Sequence, residues 1–415
     1  MQTDTATWWA RPGLEVHDGR LIVAGRDAEQ IARTHGTPVF AHDLVSVREQ
    51  AERLRDAMGA VGAPTKIRFA MKAQRDPGFL RFLRESVPFV GMDVCSPGEA
   101  ELALEHGWMP EEISYTGTNV SDADLERLLP TGVHLNADLL SQLERFGRQA
   151  PGRRVGIRVN PGIGASHLGG AETKYAGSRP TKFGILPDQL EAAAETARRH
   201  DLTIDTVHYH TGYLYMTESI PIVEEAAARV AGMVRTLRDL GCPIDEVNTG
   251  GGLGVRFREH VTGLDVDAWA AALGRSLGDL EVTVATEPGE FIAKHMATLL
   301  AEVVTVEDRG QGHVFVGLDA GWSTANESFV YHIPFQPIVC RAADGPADRR
   351  YTIAGHINEG DDLWAVDADL PEVHEGDVIA FPNVGAYNLS MASLHCLRPP
   401  AGVASFRDRT PTPER

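Results

Sequence analysis

The feature that most constrains this chain is a sustained alternation of short apolar runs with amphipathic stretches over its first two-thirds. The runs are Pro38–Asp43, Lys66–Lys72, Phe89–Ser96, Ile113–Thr118, Gly132–Ala137, Arg154–Asn160, Thr206–Gly212, Glu246–Gly252 and Thr283–Gly289. Between them stand helical patterns such as Leu44–Met58, Pro97–His106, Ser121–Leu129, Pro187–His200 and Ser219–Leu240. Strands separated by helices cannot pair as tight hairpins. Each return needs a crossover, so the sheet is parallel. Eight or nine such units in roughly 250 residues suit a closed β/α barrel better than an open sheet.

From about Ile292 the texture changes. Long helical patterns give way to short β-like runs, Leu299–Val306, His313–Leu318, Gln336–Ala342, Arg350–Ala354 and Asp377–Phe381, separated by turn clusters such as Ala343–Asp348. The expected organisation is an N-terminal segment over 1–36, with a strand at Leu21–Ala24, that joins a β domain. A barrel follows over 37–291, then the β domain over 292–415, ending in a disordered tail from about Phe406.

Composition narrows the partners. A net charge of −19 repels nucleic-acid phosphates and anionic membranes. Cys95, Cys242, Cys340 and Cys396 show no paired spacing, so neither a zinc site nor a disulfide framework is indicated. The opening MQTDTATWWARPG is not a signal peptide, and no apolar run approaches the roughly 20 residues that cross a bilayer, which makes the cytoplasm the expected compartment.

Four motifs carry chemistry. In Phe69-Ala70-Met71-Lys72-Ala73-Gln74 a lysine ends a buried strand. It either snorkels out of the strand end or holds a carbonyl cofactor covalently where barrel enzymes keep their chemistry. Gly250-Gly251-Gly252-Leu253-Gly254 is either a tight turn or a nest of N–H groups for an anion. Glu287-Pro288-Gly289 places an acid at the end of the last barrel strand, as a surface turn residue or as the partner of a pyridine nitrogen. In His208-Tyr209-His210-Thr211-Gly212 the two histidines share one face of a strand. No third ligand is suitably spaced, so no metal is expected, and one imidazole packed on a flat ring suffices.

The order of these motifs says more than any one of them. Together with Asp93-Val94-Cys95-Ser96-Pro97-Gly98-Glu99, Arg158-Val159-Asn160-Pro161, Thr181-Lys182-Phe183-Gly184-Ile185 and Gly385-Ala386-Tyr387, the chain resembles the fold type III pyridoxal-phosphate enzymes from about residue 38 to about residue 398. Those enzymes pair a β/α barrel with a C-terminal β domain, the alanine racemase-like fold, and the resemblance is strongest to the diaminopimelate and ornithine decarboxylase branch. It implies pyridoxal 5′-phosphate as cofactor, attached to Lys72, with His210 stacked on the ring and Glu287 at the pyridine nitrogen. It further implies Gly250, Gly251, Gly252 and Tyr387 around the phosphate, Arg158 beneath the cofactor, and a homodimer whose active sites are shared between subunits.

The departures from the family pattern are informative. The family's cysteine before an acid, in Cys-Glu-x-Gly-Asp, becomes Asn358 in Asn358-Glu359-Gly360-Asp361-Asp362, and an amide has no proton to give. His356, Tyr331 or a water would then supply it. The arginine that usually follows Glu-Pro-Gly is Glu290, and the one expected before Tyr331 aligns with Glu327. In diaminopimelate decarboxylases these arginines take the distal carboxylate, so carboxylates there reject diaminopimelate and welcome a distal cation. Tyr213 replaces a phosphate-binding serine.

The expected activity is pyridoxal-phosphate-dependent α-decarboxylation of a small amino acid with a distal cationic or polar group, free or carrier-bound. Lys72, His210, Glu287, Asn358 and Glu359 are the expected catalytic residues, and Glu290, Glu327, Tyr331, Asn358, Glu359 and Asp362 are expected at the substrate. A racemase or epimerase of a basic amino acid, an oxidative decarboxylase-deaminase, and a non-catalytic pyridoxal-phosphate-binding protein are the alternatives. The β domain weighs against the last, whose known forms are a barrel alone.

Overall fold

The computed structural model describes residues 7–166, 173–177 and 179–410. Eight parallel strands close into a barrel: Thr65–Ala70, Val90–Val94, Ile113–Gly117, His134–Ala137, Arg154–Arg158, Thr203–His208, Glu246–Asn248 and Thr283–Thr286. Closure comes where Val284 and Thr286 of the last strand register against Thr65 and Ile67 of the first. The helices that return the chain start on side-chain caps. Asp76 accepts from Phe79 N–H, Ser96 from Glu99 N–H and Asp265 from Ala268 N–H, while Pro77 and Pro97 occupy the first helical position, where no N–H is needed.

Side chains alternate across each strand, and here the two faces differ sharply in chemistry. Phe69, Met92, Ile157, Val207 and Val247 form the buried apolar set. Phe69 packs on Phe79 of the Pro77–Ser86 helix at a ring separation of 5.0 Å, which places this set against the outer helices. The alternate positions, Arg68, Asp93, Arg158, His208, Glu246 and Asn248, are equally buried but polar. They point into the barrel. Arg68 donates to both oxygens of Glu246 at 2.6 and 3.0 Å across the lumen, and Lys66 adds a third bond at 2.9 Å.

The second domain is an eight-stranded sheet ordered Ile338–Val339, Val378–Pro382, Ala297–Asp308, Val314–Leu318, Arg349–Ala354 and Leu363–Leu370, with Val39–Asp43 and Gly402–Phe406 joined at one side. Three expectations are corrected. The Pro38–Asp43 run is no barrel strand: Val39–Asp43 pairs antiparallel with Ala297–Leu300 and parallel with Gly402–Phe406. An all-buried apolar run looks the same in either sheet, so periodicity could not separate them. Leu363–Leu370 is an additional strand whose mixed apolar and acidic residues hid its period. The tail from Phe406 is held through residue 410 (411–415 lie outside the described residues), because Arg409 donates to Asp43 at 2.9 Å and to Glu49 at 2.8 and 2.7 Å. The N-terminal segment packs Trp9, Leu14, Leu21 and Ile31 against Val39, Ala41, Leu300 and Ile338 of this sheet.

Burial pushes the Glu246 carboxyl up, yet Arg68 and Lys66 overcome that and hold it at about 2. An acid with a depressed folded pKa stabilises the fold above its ordinary value near 4.5, and the contribution fades as pH falls toward about 2. Glu246→Gln should therefore cost about 3–5 kcal/mol at neutral pH by stranding Arg68, read by urea unfolding. The gap to wild type should narrow below about pH 4 as the wild-type Glu246 carboxyl takes up its proton.

Candidate active site

The strand ends at one mouth of the barrel converge on a cavity of about 340 Å³. Lys72 reaches it from the single turn Met71–Ala73 that ends the first strand, and Arg158, His208 and Glu287 come from other strand ends. Tyr387 arrives from the β domain. Its N–H donates to Ala73 O at 2.8 Å, beside Lys72, and its own φ of +61° turns the chain toward the cavity. Burial opposes a charge on Lys72, but Asp93, Cys95 and Glu287 around it hold its pKa above the ordinary lysine value.

Glu287 is the most constrained group. His208 Nε2 lies 2.9 Å from Oε2 and Asn248 donates to Oε1 at 2.6 Å. Burial alone would raise its pKa, yet His208, Lys72 and Asn248 bring it down to about 2. Its neighbour Asp93 moves the other way. Burial and the adjacent Glu287 push it well above the usual carboxylate range, so of the two acids Asp93 is the readier to take a proton. The turn that carries Glu287 is pinned by its N–H donating to Gly250 O at 2.8 Å and by the Thr286 hydroxyl at 2.9 Å to the same oxygen.

The glycine run supplies a cradle. A Cβ at Gly251 would sit 2.2 Å from Glu287 O, and one at Gly252, whose φ is +98°, would sit 2.6 Å from the Tyr215 ring. Among the described residues, the N–H groups of Gly251 and Gly252 meet no backbone acceptor. Two free donors beside a cavity-lining tyrosine hydroxyl fit a phosphate. Gly250 does not join them: it is absent from the lining, and Asn248 Oδ1 takes its N–H at 3.0 Å. His210 faces the same space with Tyr175 edge-on at 5.0 Å, and burial together with Arg158 and Lys72 keeps its imidazole neutral. The Arg158 guanidinium lies over Phe183, 4.3 Å from the ring centre.

The far wall holds Glu290, Glu327 and Tyr331, with Tyr213 beside them. A feature absent from the sequence reading is Lys294, 1% exposed, whose Nζ lies 3.0 Å from Glu290 and 2.5 Å from Glu327. The two acids are therefore not a bare double charge. Burial raises Glu327 to about 7 despite Lys294. The signal for Lys294 was its place four residues after Glu290, one helical turn on.

Asn358, Glu359 and Asp362 do not line this chain's cavity. Asn358 and Glu359 are exposed. Asp362 is buried and committed elsewhere, accepting from Trp322 N–H, Ile357 N–H and Trp364 Nε1 at 2.8, 2.8 and 3.1 Å. That carboxylate braces the loop, which corrects its expected place at the substrate. His356 also lies outside the cavity.

A parallel barrel with a strand-end lysine, an ionised acid and an anion cradle defines a pyridoxal-phosphate enzyme of the barrel-plus-β-domain class. The chain belongs to the pyridoxal-dependent decarboxylase family, whose pyridoxal-binding domain matches residues 44–294. It is similar to the diaminopimelate decarboxylase of Methanothermobacter thermautotrophicus, 34% identical over 94% of this chain and 92% of that one. The Streptomyces coelicolor enzyme of the same name is 31% identical over 89% and 84%. The crystal structure of Helicobacter pylori diaminopimelate decarboxylase with L-lysine superposes with a TM-score of 0.82 at 26% identity, covering 92% of this chain and 94% of that one. The protein is thus a pyridoxal-phosphate-dependent amino-acid decarboxylase, a carbon–carbon lyase.

Gly251→Ala should weaken pyridoxal-phosphate binding, because its methyl cannot clear the Glu287 carbonyl without opening the cradle. Equilibrium dialysis of the cofactor against the folded variant checks this.

Proposed function

We propose that the enzyme removes the α-carboxylate of a small amino acid carrying a distal cation, and that diaminopimelate is not its substrate. One observation carries this reading: the far wall presents two carboxylates, Glu290 and Glu327, against one cation, Lys294. With Glu327 ionised the sum is one negative charge, which attracts a distal ammonium and repels the distal carboxylate of diaminopimelate.

At the reacting end Lys72 would hold the cofactor, with the neutral imidazole of His210 against its ring. Gly251, Gly252 and the Tyr387 hydroxyl would take the phosphate, with Arg158 lining the same cavity. Glu287, kept ionised by His208 and Asn248, would hold the proton on the pyridine nitrogen. Pyridoxal phosphate, when bound, would supply an electron-poor ring for the pair left by the departing CO2. An acid held this firmly supports decarboxylation over racemisation. Tyr331 lines the cavity and keeps its hydroxyl protonated, because burial pushes its pKa up, which makes it the proton donor to Cα in this reading. Asn358 and Glu359, exposed on the β domain, act in the cavity of a second copy of the chain.

Purified holoenzyme offered L-lysine, L-ornithine, L-arginine and meso-diaminopimelate should release CO2 from one of the three basic amino acids, with kcat/KM at least about tenfold above that for diaminopimelate. Faster turnover of diaminopimelate would sink the reading. Below about pH 7 the Glu327 carboxyl is protonated and the charges of Lys294 and Glu290 cancel. Above it the wall is negative. Preference for the basic substrate over an uncharged analogue should therefore rise as pH passes through about 7. Lys72→Ala should abolish the visible absorption of lysine-bound cofactor. Mixing inactive Lys72→Ala and Glu359→Ala proteins should restore roughly a quarter of wild-type activity, since half the dimers would be mixed and each would hold one intact site. No recovery after subunit exchange would exclude the shared site.

A further inference from the structure

The two acids of the far wall do not have equivalent surroundings. Glu327 is saturated. Lys294 donates to Oε1 at 2.5 Å, Asn388 donates to Oε2 at 3.1 Å, and Asn388 Oδ1 accepts the Glu327 N–H at 3.2 Å. Asn388 is fully buried, and its amide is fixed further by the carbonyls of Ala386 and Val384 at 3.1 and 3.4 Å. Glu290 is different. Lys294 Nζ stands 3.0 Å from Glu290 Oε1 but off the hydrogen-bonding direction, and that buried oxygen has no hydrogen-bond partner among the described residues. Lys294 itself is absent from the cavity's lining, whereas Glu290 belongs to it.

A buried carboxylate oxygen whose one charged neighbour is poorly aligned gains from a better-directed donor. We propose that Glu290 alone reads the substrate's distal cation, and that Lys294, Glu327 and Asn388 form a buried bracket that cancels the second charge and positions Glu290. This rests on the distal-cation reading above and deepens it. The bracket leaves one negative charge with open acceptor sites, which matches a single primary ammonium on the substrate. A distal amino acid brings a carboxylate that this wall cannot pair. Lys294 is a positioning residue, since it touches neither substrate nor cofactor.

The two acids can be separated by paired neutralisation. Holoenzyme is assayed with L-lysine against L-2-aminoheptanoate and with L-ornithine against L-norleucine, each pair differing by an ammonium replaced with a methyl. Wild type should favour the ammonium member, and equal turnover of both members would overturn the distal-cation reading itself. Glu290→Gln should lower that preference by at least about tenfold, chiefly through KM because the lost contact is remote from the reacting carbon. The double variant Lys294→Met/Glu327→Gln removes both charges of the bracket together and should keep the preference within about threefold. The opposite pattern, preference lost in the double variant and kept in Glu290→Gln, overturns the assignment while leaving the proposed activity standing. A buried double replacement can fail to fold, so Glu290→Asp is run in parallel. It should retain the ammonium preference that Glu290→Gln loses, and equal preference in the two overturns the assignment as well.

Discussion

The ionised state of Glu287 is the constraint on which the rest of the site depends. Deep in the barrel a carboxylate would take up a proton, and an acid that did so could not hold a proton on anything else. His208 and Asn248 prevent this, and both come from strands whose inward positions are polar. Asp93, two strands round the barrel, is pushed the other way, toward its protonated form. Two acids in one enclosure thus differ in proton affinity because their donors differ. The barrel tolerates so much buried polarity because its apolar faces all point outward, against the helices, where they supply the packing.

Charge is handled by the same device at three levels of the molecule. Glu246 with Arg68 and Lys66 fills the lumen below the site, Glu287 with His208 sits at the cofactor's place, and Glu290 and Glu327 with Lys294 form the far wall. Each arrangement leaves a defined residual charge where burial alone would enforce neutrality. In the lumen the charges only stabilise. At the wall two of them, Glu290 and Glu327, line the cavity.

Much of this was legible in the chain. Strand-and-helix alternation declared a parallel sheet, and the number of units favoured its closing into a barrel. The strand-end lysine, the glycine run and the Glu-Pro-Gly turn are local motifs, and the structure brings Lys72, Gly251, Gly252 and Glu287 to one cavity. What escaped notice was non-local. Val39–Asp43 reads as another apolar run because its partners lie at Ala297–Leu300 and Gly402–Phe406. Lys294 belongs to no motif, and only the fold reveals that Glu327 closes over it. Asp362 sat in a catalytic-looking stretch, yet its acceptors were needed by two backbone N–H groups and an indole. A motif fixes which residue types are present, while the partners that consume their valences come from elsewhere in the chain.

The placement of Val39–Asp43 has one more consequence. The chain enters the eight-stranded sheet at Val39, leaves it after Asp43 to build the whole barrel, and returns at Ala297. The barrel is thus an insertion tied to its host sheet at two points. Hydrogen bonds add to those two crossings: Tyr387 N–H on Ala73 O, Gln74 on Gly385 O and Arg409 on Glu49. The helical turn carrying Glu290 and Lys294 is the second of the two crossings. The wall of the cavity that Glu290 lines is therefore part of the chain's return path to the sheet, so a substitution that repacks that return reshapes the cavity as well as the join.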